Sequence, residues 1–170
     1  MGSFFRQCWG LCVLEVPPQD LPFSRLLQAL TICAYFGVGL IVNTIFQSWG
    51  VAAVVSALDT GLLIGITYAA LWVREFLPRA TQATTALAAS GALLGLVALP
   101  IFITFRDATG ILQGVDGLLF LGMLTWQIIV VAHILRHALS VAFIAALGVS
   151  LVYAIVVYKI TNILIPTPAG

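Results

Sequence analysis

Long apolar runs, separated by short polar breaks, dominate the chain. A helix needs about 20 mainly apolar residues to cross a bilayer. Five runs qualify: 26–46, 51–73, 83–105, 118–135 and 138–158. The breaks are QSWG at Gln47–Gly50, a charged stretch from Arg74 to Gln82, the turn-rich RDATGILQGVDG over Arg106–Gly117, and the pair Arg136–His137. The final IPTPAG cannot continue a helix. The expected fold is all-α, a polytopic bundle of five transmembrane helices over 25–160, preceded by a separate segment over 1–24 and followed by a short tail over 161–170.

The first 24 residues have a different period. FFRQCWGLCVLE puts Phe5, Cys8, Trp9 and Cys12 at three- and four-residue spacing, one face of a short helix. Such a helix suits the inner leaflet surface. VPP ends it, and Asp20 reads as the cap of the first span, with Pro22 in its first turn. Arg6 stands where N-myristoylation requires Ser or Thr. No small-x-small site follows the first apolar run at cleavage distance, so no cleaved leader is expected.

Composition strengthens the membrane reading. The chain is 62% hydrophobic and 8% charged, against about 25% charged for soluble domains. A net charge of +1 gives no footprint for nucleic acid. Cys8, Cys12 and Cys33 suggest no disulfide framework, and Cys33 lies within an apolar run as a small hydrophobe. With the N-terminus inside, inner segments hold Arg6, Arg25, Arg74, Arg79 and Arg136, and outer segments hold Arg106 and Lys159. That asymmetry predicts an N-inside, C-outside topology.

Within ALDTGLLIG, Asp59 interrupts one of the most apolar runs. Eight residues beyond Val51, it sits roughly 12 Å into the membrane from the outer side. An ionised carboxylate at bilayer depth costs at least ~2.5–3.5 kcal/mol on insertion scales. It must therefore face the bundle interior, take a partner or stay protonated. Asp-Thr-Gly also carries the catalytic carboxylate of aspartic proteases. Those enzymes need two carboxylates sharing a proton, and no other span contains one. Candidate partners at similar depth are Asn43, Gln127, Ser56 and Thr60. Hydrogen bonds of this kind in lipid contribute about 0.6–2 kcal/mol each and order helices. Packing is the commoner role for such a carboxyl; proton or ion handling is the functional one.

Gly61 and Gly65 form GLLIG in the second span, and Gly91 and Gly95 form GALLG in the third. Such faces let helices approach closely. Packing of these two spans on each other is the first reading, a seam between copies the second. Pro100 leaves the Leu96 carbonyl without its helical partner and predicts a kink. His133 and His137 sit at i,i+4, a spacing that can hold a metal, but Ile134 stands where a zinc protease has Glu. A four-ligand site would have to add Cys8 and Cys12. Interfacial side chains at a helix end are the commoner reading, so no metal and no cofactor is expected. Trp72 and Phe76 flank the inner charged loop of Arg74, Glu75 and Arg79, while Arg106, Asp107 and Asp116 form the outer one. These suit headgroup anchoring. No phosphate loop or nucleophile elbow is present.

PQDLPFSR leads into the first span, and the last two spans form a tight pair, FLGMLTWQIIVVAHILRHALSVAFIAALGVSLVYAIVVY. This layout resembles the Yip family of five-span membrane proteins, known as partners of Rab GTPases in eukaryotic trafficking, with bacterial members of unassigned function. The resemblance covers hydropathy over about 135 residues and a loose pattern across Trp126–Tyr158. It implies a non-enzymatic integral membrane protein, and no functional residue is carried over with it. The expected function is a membrane scaffold or accessory subunit that binds protein partners or further copies within the bilayer. The alternative is an oligomeric proton- or ion-coupled carrier or channel built on Asp59. The expected location is a bacterial inner membrane, with an endomembrane as the alternative.

Overall fold

The computed structural model describes residues 2–107 and 111–164, with side chains for 4–106 and 114–160. Among the described residues there are six α-helices: α1 (Gly2–Cys12), α2 (Arg25–Phe46), α3 (Trp49–Val73), α4 (Ala80–Asp107), α5 (Ile111–Leu139) and α6 (Phe143–Leu164). Short 3-10 turns occupy Pro18–Asp20 and Leu77–Arg79. Among the described residues five helices, α2 to α6, are long and apolar enough to cross a membrane. The protein is a helical integral membrane protein by that measure. The expected IPTPAG tail and Ala108–Gly110 of the outer connection lie outside the described residues.

α4 is the hub. Half of its apolar stretch is buried, against 11% for α2 and for α6. Alanines at 80, 83, 86, 88, 89 and 92 are buried along it, and their small side chains let neighbours approach its backbone. α2 packs against α4 most extensively, and α1, α3 and α5 also touch it. α6 lies against α5 and α3. At the end where α2 stops, Phe46, Phe102, Phe105 and Phe120 stack edge and face at centroid distances of 5.8–6.1 Å, tying α2, α4 and α5 together.

Several expected boundaries move. Ser24, not Asp20, caps α2: its Oγ accepts from Leu27 N at 3.3 Å. Asp20 belongs to the preceding 3-10 turn, and Pro22 lies outside the helix. The turn-rich outer connection is helical from Ile111, because the isolated glycines of ILQGVDG weaken a helix without ending it. The inner turn falls after Leu139 rather than at Arg136–His137, since basic side chains suit the last turn of a helix. α4 runs through Pro100 as one helix.

Helices α1, α3 and α5 all stop in the same way. Leu14, Glu75 and Ser140 take left-handed backbone, with φ of 66°, 60° and 54°. The following amides, Glu15, Phe76 and Val141, donate back to the carbonyls of Gly10, Leu71 and Arg136. This six-to-one bond satisfies carbonyls that a helix end leaves unpaired.

The N-terminal segment is built into the bundle. Cys8, Leu11 and Cys12 are buried against the core, while Phe5 and Trp9 are exposed. The buried face is therefore not the Phe5–Cys8–Trp9–Cys12 stripe. Beyond Cys12 the chain runs non-helically to Pro18, and core side chains hold its carbonyls. Trp126 Nε1 donates to Cys12 O at 2.8 Å, and His133 Nε2 to Val16 O at 3.3 Å. Gln82 Nε2 donates to Gln19 O at 3.2 Å and Leu21 O at 2.8 Å. Buried irregular backbone needs partners for its polar groups, and here side chains supply them.

Candidate functional site

On α3, Ala52, Val55, Ser56, Thr60, Leu63, Thr67 and Leu71 are buried. Helical spacing puts Asp59 on this same inward arc. Its carboxylate meets two phenols from two other spans. Tyr35 Oη on α2 donates to Oδ2 at 2.5 Å, and Tyr153 Oη on α6 donates to Oδ1 at 3.4 Å. The first is a full hydrogen bond; the second is longer than the usual O–H···O range. Tyr35 and Tyr153 each stand ten residues from the N-terminal ends of their helices, roughly 15 Å along the axis. The cluster therefore lies near the middle of these two helices.

Gly91 makes room for Tyr35. A Cβ at position 91 would stand 2.5 Å from Tyr35 Cε2, and one at 95 would stand 2.7 Å from Val38 Cγ1. GALLG is thus the seat of α2 on α4, not of α3 on α4. GLLIG has no such seat: a Cβ at Gly61 or Gly65 would meet nothing within 4 Å, and both glycines are exposed. The expected pairing of the second and third spans through these two motifs is corrected accordingly. The close approach goes to the phenol that holds Asp59.

The candidate partners of Asp59 divide. Asn43 donates to Gly39 O at 2.9 Å and Ser56 Oγ at 3.1 Å, one turn of α3 before the carboxylate. Thr60 Oγ1 donates to Ser56 O, within its own helix. Gln127 is placed differently, in the wall of a small cavity of about 30 Å³. Asp59 itself does not line the cavity, but both of its phenol partners do, Tyr35 and Tyr153, together with Thr67, Leu87, Gln127 and Val131. Five helices, α2 to α6, supply those walls.

The two residues that sequence reasoning missed are Tyr35 and Tyr153. A signal for them existed. A buried tyrosine hydroxyl needs a partner, and the chain has only four tyrosines. A span carboxyl at matching depth is the natural acceptor. What the sequence withheld is which helices are neighbours.

His133 and His137 lie with ring centroids 4.8 Å apart. His133 is occupied by Val16 O, as described, so it pins the N-terminal segment. Among the described residues no three His, Cys, Asp or Glu side chains converge on one point. Cys8 and Cys12, outside the spans, are buried, and burial pushes both thiols up to about 11. For Cys8 the neighbouring Cys12 adds to the rise. Thiols held this way are poor nucleophiles and poor metal ligands at neutral pH.

Chemically the site offers one carboxyl group held by two phenols, and those phenols share a small space with a carboxamide. It can hold water and exchange a proton. Compared with known proteins, the chain matches no family model, no curated protein and no solved structure.

Proposed function

We propose that this integral membrane protein is a non-catalytic scaffold or accessory subunit, which binds another protein chain through the outward face of α3. One observation carries the reading. Ala57, Gly61, Gly65 and Ala69 follow each other at four-residue spacing on that face, and all are exposed. They leave a shallow groove along a membrane helix, open above both glycines. Val54 and Trp72, 53% and 67% exposed, stand at its two ends. In lipid no hydrophobic driving force joins helices, so close backbone packing at small residues does. The same chain uses its other small-residue pair, Gly91 and Gly95, for close internal packing. The Yip resemblance fits a membrane protein that acts by binding others. The excess of arginine at the end where α2 begins and α5 stops supports an N-inside orientation.

The test is the native mass of the gently extracted protein and of a Gly61→Leu/Gly65→Leu variant. The wild type is expected to travel as a discrete assembly larger than one chain, and the variant as a single folded chain. Leucines at these positions point outward, so they leave the fold intact. A wild type that travels alone, or a variant that keeps its companion, overturns the reading.

A further inference from the structure

The small-residue face of α3 makes no use of Asp59 or of the cavity behind it. That cavity, about 30 Å³, exceeds the roughly 10–15 Å³ that one water requires. Wholly apolar cavities stay dry, and a mainly apolar one holds water only where two to four polar partners converge. Most of the wall is apolar, from residues such as Leu63, Ile66, Leu87, Val131, Leu135 and Val149, and its polar residues are Tyr35, Tyr153, Thr67 and Gln127. Thr67 already donates to Leu63 O at 2.6 Å and so offers lone pairs. Gln127 can both donate and accept. The cavity therefore has partners for water.

We infer that Asp59 is a proton-binding site served by water in this cavity, with Tyr153 as the link between water and carboxylate. Tyr35 holds Oδ2 firmly, while the 3.4 Å contact leaves Oδ1 the less satisfied oxygen. Oδ1 is thus where a proton adds. A hydronium in the cavity gives its proton to Tyr153 Oη as that phenol passes its own hydrogen to Oδ1. The hydronium becomes water, the phenol is regenerated and the carboxylate becomes a carboxylic acid. Tyr35 is a positioning residue. The groups facing the carboxyl are the phenol of Tyr35 from α2 and that of Tyr153 from α6. From α4 and α5 the cavity receives Leu87, Gln127, Val131 and Leu135, none of which titrates.

The experiment is infrared difference spectroscopy on the whole protein in lipid vesicles, titrated in pH and transferred between H2O and D2O. A carboxyl stretch is expected that appears as pH falls, moves on deuteration and is lost in Asp59→Asn. Tyr153→Phe keeps the ring but removes the link, and Ala70→Val narrows the cavity. Both should slow deuteration of that band. Tyr35→Phe should shift its frequency while it still exchanges. Near-wild-type unfolding midpoints for the variants confirm that they fold. A carboxyl signal that is constant over the pH range, or that never exchanges with D2O, overturns the inference and leaves Asp59 a packing group. A signal that follows Na⁺ at fixed pH overturns it in favour of a metal cation.

Discussion

Single glycines decide whether the carboxyl site can form. Gly91 lies under the Tyr35 ring, where a methyl group would stand 2.5 Å from Cε2 and 2.8 Å from Cδ2. In an open helix position Gly→Ala should stabilise by up to ~1 kcal/mol through propensity. At Gly91 the overlap reverses the sign. Overpacking of this kind costs about 1–3 kcal/mol, and the ring that must move is the one that holds Asp59. Gly91→Ala is expected to lower the unfolding midpoint in lipid micelles, whereas Gly148→Ala, with nothing within 4 Å of its Cβ, should raise it slightly. Equal shifts for both would show that Tyr35 is not seated on α4 as described. This seat also marks the limit of sequence reading. Asp59 was visible at once as a carboxylate in an apolar run, and Gly91 as a small-residue face. That one serves the other through Tyr35 depends on α2, rather than α3, being the close neighbour of α4. Hydropathy carries no information about neighbour choice.

Among the elements, the five spans were legible because lipid leaves each helix to satisfy its own backbone over some 20 residues. Their ends were less so. The start of α5 hid among turn formers, and the stops after Leu139 and Val73 rest on left-handed Ser140 and Glu75, residues with no strong preference for that conformation. The N-terminal segment departs most from its pattern. Its hydrophobic stripe reads as a surface helix, yet Cys8, Leu11 and Cys12 are buried and its carbonyls are held by Trp126, His133 and Gln82. Those three are scattered polar and aromatic residues whose convergence is purely tertiary. The arrangement predicts that Cys8 and Cys12 resist an aqueous maleimide at pH 8, being buried and largely protonated. The double change Trp126→Phe/Gln82→Leu removes three of the hydrogen bonds to the segment and should expose both thiols to label while the five spans stay folded. Rapid labelling of the wild type would show that α1 lies free of the bundle. The sign with pH follows from the thiols. Their folded values, about 11, stand above the ordinary 9.0, so the stability that they contribute is intact below pH 9 and is lost as pH rises from 9 toward 11. Docking of α1 should loosen in alkali, not in acid.

For the whole molecule, orientation decides which compartment the two ends of the bundle meet. The ends themselves are fixed by contact. Arg79 Nη1 donates to Ser140 Oγ at 2.8 Å, so the α3–α4 and α5–α6 connections share one end. Gln19 Nε2, which donates to His137 O at 3.3 Å, brings the N-terminal segment to that end as well. Arg6, Arg25, Arg74, Arg79 and Arg136 therefore gather at a single end, against Arg106 and Lys159 at the other. Cationic loops are retained on the cytoplasmic side during insertion, and on that ground we propose that α1 lies inside. Two single-cysteine probes check it, Glu75→Cys and Lys159→Cys, both at exposed positions. Of the native thiols Cys8 and Cys12 are buried, and Cys33, exposed within an apolar span, is changed to Ala in both probes. A membrane-impermeant maleimide added to intact cells should label position 159 and leave position 75 untouched until the membrane is opened. Labelling of position 75 alone would invert the molecule. The α3 groove keeps its place within the bilayer in either orientation. The cavity does not, because it lies on the inner side of Asp59 only if α1 is inside. Inversion would thus leave the partner-binding reading standing and turn the proton site to draw from the opposite compartment.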